Sequence, residues 1–360
     1  MTLTSCGGKF FPAPCKTNCA TTNSGNYLYV ANSSTSVSSI AGFTIANSAL
    51  STLSNSPYGV GVPPNALAIT PGDTYVYASS LSGGIFAYTI NSDGTLSIAN
   101  GGSAVVQNLT PMAMKVDPTG KWLIVADLTP SVYVFSIDSS TGALTPAGNA
   151  VGLDAGTVSN LYITPSGSYV FISLGTGGVD ILTFNTNSGV IGLNQRLKPT
   201  SSGNADYGLA SDPNSKYLFV TETGINALRI LSINSTGSSI LTELSNSPVK
   251  TGLGPSQVIV TRDGSYVYVT NRTDNTISGF TLAANGALTA ISGSPYTTGT
   301  NPVDITEDKT GGYIAVACAG GNPDMQVFAI DTTTPGKLDA FSSKTTGTDP
   351  TLASAIVGTR

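Results

Sequence analysis

The side chains best suited to chemistry in this chain are carboxylates, tyrosines and an arginine that flank short apolar runs. They are Tyr58, Asp127, Asp206, Tyr207, Glu222, Arg272, Asp274, Tyr296, Asp324 and Asp349. A carboxylate can act as a general base, and an arginine guanidinium binds carboxylate or carbonyl oxygens through paired donors. The chain has no histidine, the commonest general base near neutral pH and the commonest metal ligand. The absence of histidine is the most restrictive single fact about the function of this chain.

The composition restricts the class of protein to which these residues belong. Of the 360 residues, 40% are hydrophobic and only 10% are charged, and 41 glycines and 20 prolines supply the corners of tight turns. This composition is typical of many short strands. The net charge of −5 and the lack of a basic cluster argue against a nucleic-acid partner. The sequence has no apolar run long enough to predict a membrane span. It also has no glycine-rich phosphate-binding motif that would indicate a nucleotide cofactor.

A strand-like motif opened by an aromatic residue recurs at even spacing along the chain. The copies are YLYVAN at 27, YVYASS at 75, WLIVAD at 122, YVFISL at 169, YLFVTE at 217, YVYVTN at 266 and YIAVAC at 313, so that successive copies lie 47 to 49 residues apart. An apolar run and a turn precede most copies, and a third and often a fourth strand-like run follow. Four antiparallel strands in about 47 residues, repeated seven times, predict an all-β, seven-bladed β-propeller.

The two ends of the chain predict how the ring of blades closes. The first motif, at Tyr27, has no preceding strand of its own, whereas the final residues DPTLASAIVGTR have the pattern of a first strand. We expect the C-terminal strand to complete the N-terminal blade as its innermost strand, which leaves no long unpaired edge. Residues 23–360 then form the propeller, and residues 1–22 form a tail. The alternative is a stacked β-solenoid, but solenoid coils are shorter and need end caps instead of a split unit.

Strand direction alternates within a blade, so that the loops before the first strand and the loops between the second and third strands share one face of the ring. The candidate residues above fall in or beside these loops. The turns between first and second strands fall on the opposite face and have repetitive hairpin sequences such as TPGDT, DPTGK and TRDGS. Functional side chains concentrate on irregular loops carried by a rigid scaffold. The first face is therefore predicted to carry the site.

The repeated YVYVTN motif, with its P…TPDG-like lead-in, resembles the YVTN-repeat group and the wider family of seven-bladed lactonases. That family includes propeller-type phosphogluconolactonases and a muconate-lactonising enzyme. The resemblance covers about residues 27–360. It is strongest in DPTGKWLIVADL (117–128) and in YVYVTNRTDNTISGF (266–280). Because the motif is short, it identifies architecture better than activity.

The resemblance also implies a site. Arg272 matches the arginine of the family's sixth blade well, and Glu222 matches its glutamate loosely, whereas Met112 stands where the family has its proposed histidine. The Arg-His pair of the fifth blade is replaced around Asp206 and Tyr207. A reduced mechanism would use Glu222 or Asp206 as the base for water, with Arg272 holding the lactone oxygen or a substrate carboxylate.

Two other interpretations of these residues stay open. Arg272 could form a surface ion pair with Asp274 or with a neighbouring blade, an interaction that is common and weakly stabilising. Alternatively, the face could bind a ligand without turnover. In that case Asp127, Tyr207 and Asp274 are expected on the ligand-binding face beside Arg272.

Three of the four cysteines stand close together before the first blade. LTSC at residues 3–6 resembles the end of a bacterial lipoprotein signal, which makes Cys6 a lipidation candidate and leaves Cys15 and Cys19 as a disulfide candidate in an oxidising compartment. The alternative is a frayed tail with three incidental thiols. A zinc site would need a fourth ligand nearby, so no metal is predicted. Cys318, within YIAVAC, is expected to be a small buried strand residue.

These observations predict an exported propeller that binds a small ligand or a cell-envelope protein, without a cofactor. We expect a monomer in an extracytoplasmic, periplasmic or cell-envelope location, with a possible lipid anchor. One alternative function is a divergent lactone hydrolase of the 6-phosphogluconolactonase type. Another is a non-catalytic platform for protein interactions.

Overall fold

The computed structural model describes residues 25–33, 38–234, 239–321, 323–346 and 353–360. Its strands form seven antiparallel sheets, and the first strand of each sheet contacts the first strand of the next, so that the sheets surround a central channel. The prediction of an all-β, seven-bladed propeller with four antiparallel strands in each blade is confirmed. Within the described residues, a short 3₁₀ turn at Asn100–Gly102 is the only helical element. No helix in these ranges could cross a membrane.

The strands are numbered in chain order and grouped by blade. Blade 1 contains β1 (Tyr27–Asn32), β2 (Ser39–Ala46), β3 (Ala49–Thr52) and β4 (Tyr58–Gly59). Blade 2 contains β5 (Pro64–Ile69), β6 (Tyr75–Ser80), β7 (Ile85–Ile90) and β8 (Leu96–Ile98). Blade 3 contains β9 (Pro111–Val116), β10 (Trp122–Asp127), β11 (Ser131–Ile137), β12 (Leu144–Pro146) and β13 (Val151–Gly152). Blade 4 contains β14 (Asn160–Ile163), β15 (Tyr169–Ser173), β16 (Val179–Phe184) and β17 (Ile191–Leu197).

The remaining strands complete the ring. Blade 5 contains β18 (Asp206–Ser211), β19 (Tyr217–Glu222), β20 (Ala227–Ile233), β21 (Leu241–Glu243) and β22 (Val249–Lys250). Blade 6 contains β23 (Pro255–Val260), β24 (Tyr266–Asn271), β25 (Thr276–Leu282), β26 (Leu288–Ala290) and β27 (Tyr296–Thr297). Blade 7 contains β28 (Pro302–Glu307), β29 (Tyr313–Cys318), β30 (Met325–Ile330) and β31 (Leu338–Lys344). The last strand, β32 (Ala353–Gly358), belongs to blade 1.

The closure of the ring agrees with the prediction from the two chain ends. β32 is the innermost strand of blade 1 and pairs antiparallel with β1, with Tyr29 opposite Val357 and Ala31 opposite Ala355. Beyond the strand end, the hydroxyl of Thr359 accepts a hydrogen bond from the backbone N–H of Tyr27 at 2.9 Å. The blade begun by the N-terminal strands is thus completed by the C-terminal one.

The aromatic residues of the repeated motif hold adjacent blades together. The second tyrosine of three copies is fully buried, and its hydroxyl donates to a glycine carbonyl oxygen in a turn of the next blade: Tyr29 to Gly94 (2.7 Å), Tyr77 to Gly142 (3.0 Å) and Tyr268 to Gly336 (2.7 Å). These glycines have positive φ, and a Cβ at Gly94 would lie 2.4 Å from the ring of Tyr27. In these three copies the motif thus fastens its blade to the next one.

Apolar layers between adjacent blades form the core. Between blades 2 and 3, for example, Tyr77 and Ala87 pack with Met114, Leu123 and Phe135. The strands that carry the repeated motif, such as β1, β6 and β19, are buried on both faces because each lies between two such layers. Close packing of this kind gives a rigid scaffold on which loop residues can be positioned.

The turns between first and second strands are fastened by their own carboxylates. In blade 3, Asp117 accepts hydrogen bonds from the backbone N–H groups of Thr119, Lys121 and Trp122 at 3.0, 2.9 and 2.8 Å. Asp212 and Asp308 accept equivalent bonds in blades 5 and 7. The polar residues of these turns stabilise hairpins, in agreement with the structural role predicted for this face.

Candidate functional site

Two adjoining cavities lie along the axis between the first strands of the blades. The channel, of about 540 Å³, is lined by all seven of these strands. The mouth cavity, of about 340 Å³, opens on the face that was predicted to carry the site. It is lined by Ser33, Ser159, Tyr207, Ser256, Gln257, Arg272, Val303, Ala319, Ala353 and Ser354. Four of these residues also line the channel, so that the mouth cavity leads into it.

Arg272 lies at the mouth cavity, directly after β24. Its backbone N–H donates to the carbonyl oxygen of Gly254 at 2.8 Å, and its Nε donates to Oδ1 of Asn301, which precedes the first strand of blade 7. Its two terminal nitrogens make no hydrogen bond or ion pair within the described ranges. The guanidinium is therefore oriented through one nitrogen, and the other two can bind a ligand.

Arg272 and Asp274 form no ion pair in the described part of the chain, so this alternative interpretation is not supported. The carboxylate of Asp274 instead accepts the backbone N–H of Leu253 at 2.6 Å. The neighbouring blade does contact Arg272, but through the neutral amide of Asn301. The positive charge of Arg272 is thus left without a carboxylate partner in the described part of the chain.

Asp206 and Glu222 lie together, but they do not line the mouth cavity. They are opposite each other on β18 and β19, and both are fully buried. Glu222 accepts hydrogen bonds from the backbone N–H and the hydroxyl of Thr200 at 2.8 and 2.7 Å, and one of its oxygens lies 3.6 Å from a guanidinium nitrogen of Arg229. Arg229 also pairs with Glu243 at 2.7 Å. The structure therefore holds the predicted bases in an internal charge cluster.

The electrostatics of this cluster set the protonation of Asp206. Burial, and next the nearby charge of Glu222, raise the pKa of Asp206 to about 7, whereas Arg229 acts in the opposite direction. Neither oxygen of the Asp206 carboxyl accepts a hydrogen bond within the described residues. Because two adjacent buried carboxyl groups oppose each other's ionisation, the raised pKa favours a proton on Asp206 up to about neutral pH.

The other residues predicted on this face have two different roles: Asp127 stabilises loops, and Tyr207 lines the mouth cavity. The buried carboxylate of Asp127 accepts hydrogen bonds from the backbone N–H of Thr110 at 2.6 Å and the hydroxyl of Thr129 at 2.9 Å, and so fastens two loops of blade 3. Tyr207 is 37% exposed and lines the mouth cavity. Of the six residues proposed for catalysis or ligand binding, Arg272 and Tyr207 share this cavity.

Met112, which stands where the resemblance places a histidine, lines the channel at the start of β9. Its side chain is half-buried and packs against apolar residues of blades 3 and 4. A thioether cannot take up a proton, so this position supplies no base.

Several polar residues of the first strands were not singled out from the sequence. Asn160 of blade 4 donates from Nδ2 to Oε1 of Gln257 of blade 6, which spans the inner strand of blade 5. Gly208 of blade 5 permits this close approach, since a Cβ there would lie 2.5 Å from the carbonyl oxygen of Ser256. Lys115 and Asp304 also line the channel. The sequence signal that could have identified them is a polar residue within an otherwise apolar first strand, as in PMAMKV and PVDITE.

Of the four cysteines, Cys318 lies within the described residues. Cys318 is fully buried in β29, and burial raises the pKa of its thiol to about 12, as fits a small structural residue. Cys6, Cys15 and Cys19 lie outside the described residues. Within the described ranges no group of three or more Cys, Asp or Glu residues is placed to hold a metal ion.

Comparison with known proteins agrees with this architecture. The family described as "Lactonase, 7-bladed beta-propeller" matches residues 65–160 and 158–355. No curated protein sequence matches significantly. A Bacteroides fragilis structure, provisionally described as a 6-phosphogluconolactonase, superposes with a TM-score of 0.74 at 19% identity, over 95% of this chain and 100% of the other.

Two further structures have similar scores. The periplasmic gluconolactonase PpgL of Pseudomonas aeruginosa gives a TM-score of 0.74 at 18% identity, over 94% of this chain and 99% of the other. A Lactobacillus plantarum protein gives 0.74 at 20% identity, over 93% and 99%. At these identities the likeness concerns the fold, whereas the family match spans most of the sequence. The chain therefore belongs to the lactonase family of seven-bladed β-propellers.

Proposed function

We propose that this propeller binds a small polar ligand that carries a carboxylate or a lactone oxygen, in the mouth cavity and without turnover. The observation that carries the proposal is the guanidinium of Arg272, which lines a cavity of about 340 Å³ with two nitrogens unengaged by the described residues. The described lining of that cavity contains no carboxylate, so nothing there competes with an anionic ligand or serves as a base.

The rest of the lining supports a hydroxylated ligand. Tyr207 contributes an aromatic ring, and Ser159, Ser256 and Ser354 contribute small polar side chains. A carboxylate or lactone oxygen at Arg272 would place the remaining hydroxyl groups of a sugar acid or aldonolactone near these donors and acceptors. The proposed ligand class is therefore sugar acids and their lactones.

Replacement of Arg272 by Gln is expected to weaken this binding. The variant loses a charge-assisted pair of hydrogen bonds, each worth about 1.5–3 kcal/mol, so the dissociation constant should rise about tenfold or more. Thermal-shift screening of aldonic acids and lactones, followed by calorimetry of the best ligand, measures the effect.

Lys250→Gln is the matched control. This substitution removes one positive charge near the same face, but Lys250 is exposed, donates to the carbonyl oxygen of Ile225 and does not line the mouth cavity. The control should bind as the unmodified protein does. Equal affinity of Arg272→Gln and the unmodified protein for the best ligand would remove Arg272 from the site.

Lactone hydrolysis is the second candidate function, and the family match favours it. The described geometry supplies the oxygen-binding guanidinium but holds Asp206 and Glu222 away from the mouth cavity. Incubation with an aldonolactone in a pH-stat separates the two functions. Acid release above the spontaneous rate, lowered by Arg272→Gln, would establish hydrolysis and displace binding without turnover.

We also propose that the protein is exported, with Cys6 as a lipidation site, and that an envelope protein is the alternative partner of the mouth face. The lipoprotein-like LTSC segment supports export, and one structure of similar fold is a periplasmic gluconolactonase. A monomer is the expected state, because the ring closes within one chain.

A Cys15–Cys19 disulfide is expected in protein from an oxidising compartment. Of the four cysteines, at most Cys6 and Cys318 should then react with a thiol reagent after denaturation without reductant. Thiol titration measures the number directly. The Cys15→Ser variant should release the thiol of Cys19 and add one reactive group, whereas three or more reactive thiols in the unmodified protein would exclude the disulfide.

A further inference from the structure

The channel has a different chemical character from the mouth cavity. Its charged lining consists of Lys115, Arg262 and Arg360 as cations and Asp304 and Glu307 as carboxylates. Its charged side chains are thus three cations and two carboxylates. Low-dielectric walls around a cleft strengthen the field of such charges relative to an open surface.

Lys115 lies at a level of the channel that is otherwise mainly apolar. Counting back from the turn that follows each first strand, the equivalent residues are Ala68, Tyr162, Ala210, Ile259, Thr306 and Val357. A lysine among such neighbours loses hydration, and burial accordingly lowers the pKa of Lys115. Its ammonium group makes no hydrogen bond or ion pair with any described residue. It faces the cavity without a partner.

Asp304 does not provide that partner. Its carboxylate acts on Lys115 at a distance, since no ion pair joins them within 4.0 Å in the described chain. Instead it accepts hydrogen bonds from the backbone N–H groups of Ile356 and Ile305, each at 2.9 Å. Asp304 is thus fastened to the adjacent first strand of blade 1, and Lys115 remains available.

Arg360 stands at the opposite end of the channel from the mouth cavity, after β32. Its backbone N–H donates to the carboxylate of Asp73 at 2.8 Å, which fixes the chain. Its guanidinium makes no hydrogen bond with a described residue and is solvent-exposed within the channel. Tyr162, Asp73 and Arg262 are its charged or titratable neighbours, and Lys115 lies within range of its charge.

Arg262, the third cation, is already engaged. Its guanidinium donates to the backbone carbonyl oxygens of Lys309 at 3.0 Å and Asp308 at 2.5 Å, and lies 3.4 Å from the carboxylate of Glu307. Lys115 and Arg360 are therefore the two channel cations without partners in the described residues. Their like charges repel each other, which costs free energy while no anion lies between them.

We propose that the channel contains a second site, distinct from the mouth cavity, that takes a small oxyanion such as a phosphate or a dicarboxylate between Lys115 and Arg360. An anion at this position supplies the missing partner of both cations and removes their repulsion. The hydroxyl of Tyr162, which lies 3.3 Å from the hydroxyl of Ser211, is a further polar group at the same level. The observations do not depend on Arg272, so this site stands or falls independently of the proposed function.

The test measures binding of inorganic phosphate and of malonate by calorimetry, at an ionic strength held constant with sodium chloride. Lys115→Met and Arg360→Gln should each raise the dissociation constant about tenfold or more, because each removes a charged donor from a secluded site. Phosphate binding alone would indicate a tetrahedral ligand, and malonate binding alone a carboxylate ligand. Either result supports the site.

Two control variants make the test specific. Lys121→Met removes an exposed positive charge from the same blade, outside the channel lining, and Arg272→Gln removes the mouth guanidinium. Lys121→Met should bind both anions as the unmodified protein does, and Arg272→Gln should keep the anion binding that Lys115→Met and Arg360→Gln weaken, losing only carboxylate binding at the mouth cavity. Equal weakening by Lys121→Met would reveal diffuse surface attraction, and loss in Arg272→Gln alone would place the anion in the mouth cavity.

Either of those outcomes overturns the channel site, as does the absence of binding heat for both anions up to about 10 mM. The two channel variants lie in different blades, Lys115 in β9 of blade 3 and Arg360 after β32 of blade 1, so a folding defect in one leaves the other as a test. Their melting curves in chloride show which variant is intact.

Discussion

A chain that lacks residues 353–360 is expected to lose its cooperative melting transition. These residues include β32, whose pairing with β1 supplies the innermost strand of blade 1. Its removal exposes the inner edge of β1 and one side of each neighbouring first strand, β5 and β28. Because a propeller has no other means of protecting these edges, the defect should spread around the ring.

A point substitution in the same strand tests the loss of side-chain packing separately from the deletion of the whole strand. Ile356 is 3% exposed and packs with Leu28, Val30 and Phe43 of blade 1 and Met325 of blade 7. In Ile356→Asp, a carboxylate replaces an aliphatic group in an apolar layer, which should lower the free energy of unfolding by about 3–5 kcal/mol. Urea denaturation followed by circular dichroism measures the change.

The matched control places the same charge on an outer strand. Leu193 of β17 is 40% exposed at the rim of blade 4, so Leu193→Asp should change the free energy of unfolding by less than about 1 kcal/mol. If Ile356→Asp and Leu193→Asp prove equally stable, the closing strand contributes little to the ring.

The architecture was predictable because the even spacing of one repeated motif determines the number and size of the blades. Copies of one motif 47 to 49 residues apart define the blades, and a strand pattern at each end of the sequence defines the closure. In three copies the second tyrosine of this motif reaches a turn of the next blade, as Tyr29 reaches Gly94, so this contact recurs with the blade. Such regularity survives in the sequence even where individual residues change.

The site was less predictable because it depends on the direction in which each side chain points as well as on the position of the residue along its strand. Asp206 and Tyr207 are consecutive, and both stand at the mouth end of β18. Successive strand residues point to opposite sides, so Tyr207 reaches the mouth cavity while Asp206 is buried against Glu222. The sequence places both residues at the correct end of the blade, but it does not say which of them faces the cavity.

The same limit explains the channel residues. Lys115 is visible in PMAMKV as one cation in an apolar run. That it shares a channel with Asp304 follows only after seven first strands are arranged around one axis, because the two residues lie in blades 3 and 7. An electrostatic interaction of that kind joins distant repeats and leaves no local signal.

Asp206→Asn is expected to remove a large pH dependence of stability. The folded-state pKa of Asp206 is raised from its ordinary value of 3.8 to about 7, chiefly by burial and then by Glu222. The folded state therefore binds more protons than the unfolded state between about pH 4 and pH 7. The stability of the unmodified protein should fall as the pH rises through this window, with the full loss reached above it.

The amide of the Asn variant imitates the protonated carboxyl, because it can donate to the carboxylate of Glu222 without ever ionising. Near pH 4 the variant and the unmodified protein should have similar free energies of unfolding. Near pH 8 the variant should be more stable by about 3 kcal/mol, the free energy required to ionise a carboxyl beside another buried carboxylate. Urea titrations at these two pH values measure the difference.

Asp339→Asn provides the control for the change of Asp to Asn itself. Asp339 is an exposed residue of β31 that pairs with Lys337, so its variant should follow the unmodified protein at both pH values. A gain for Asp206→Asn that is equal near pH 4 and pH 8 would mean that Asp206 is already ionised in the folded state. In that case Arg229 neutralises two buried carboxylates at once. A gain confined to the higher pH means that the pair holds one proton, which excludes Asp206 as an ionised base for water near neutral pH and leaves Arg272 and the mouth cavity with a binding role.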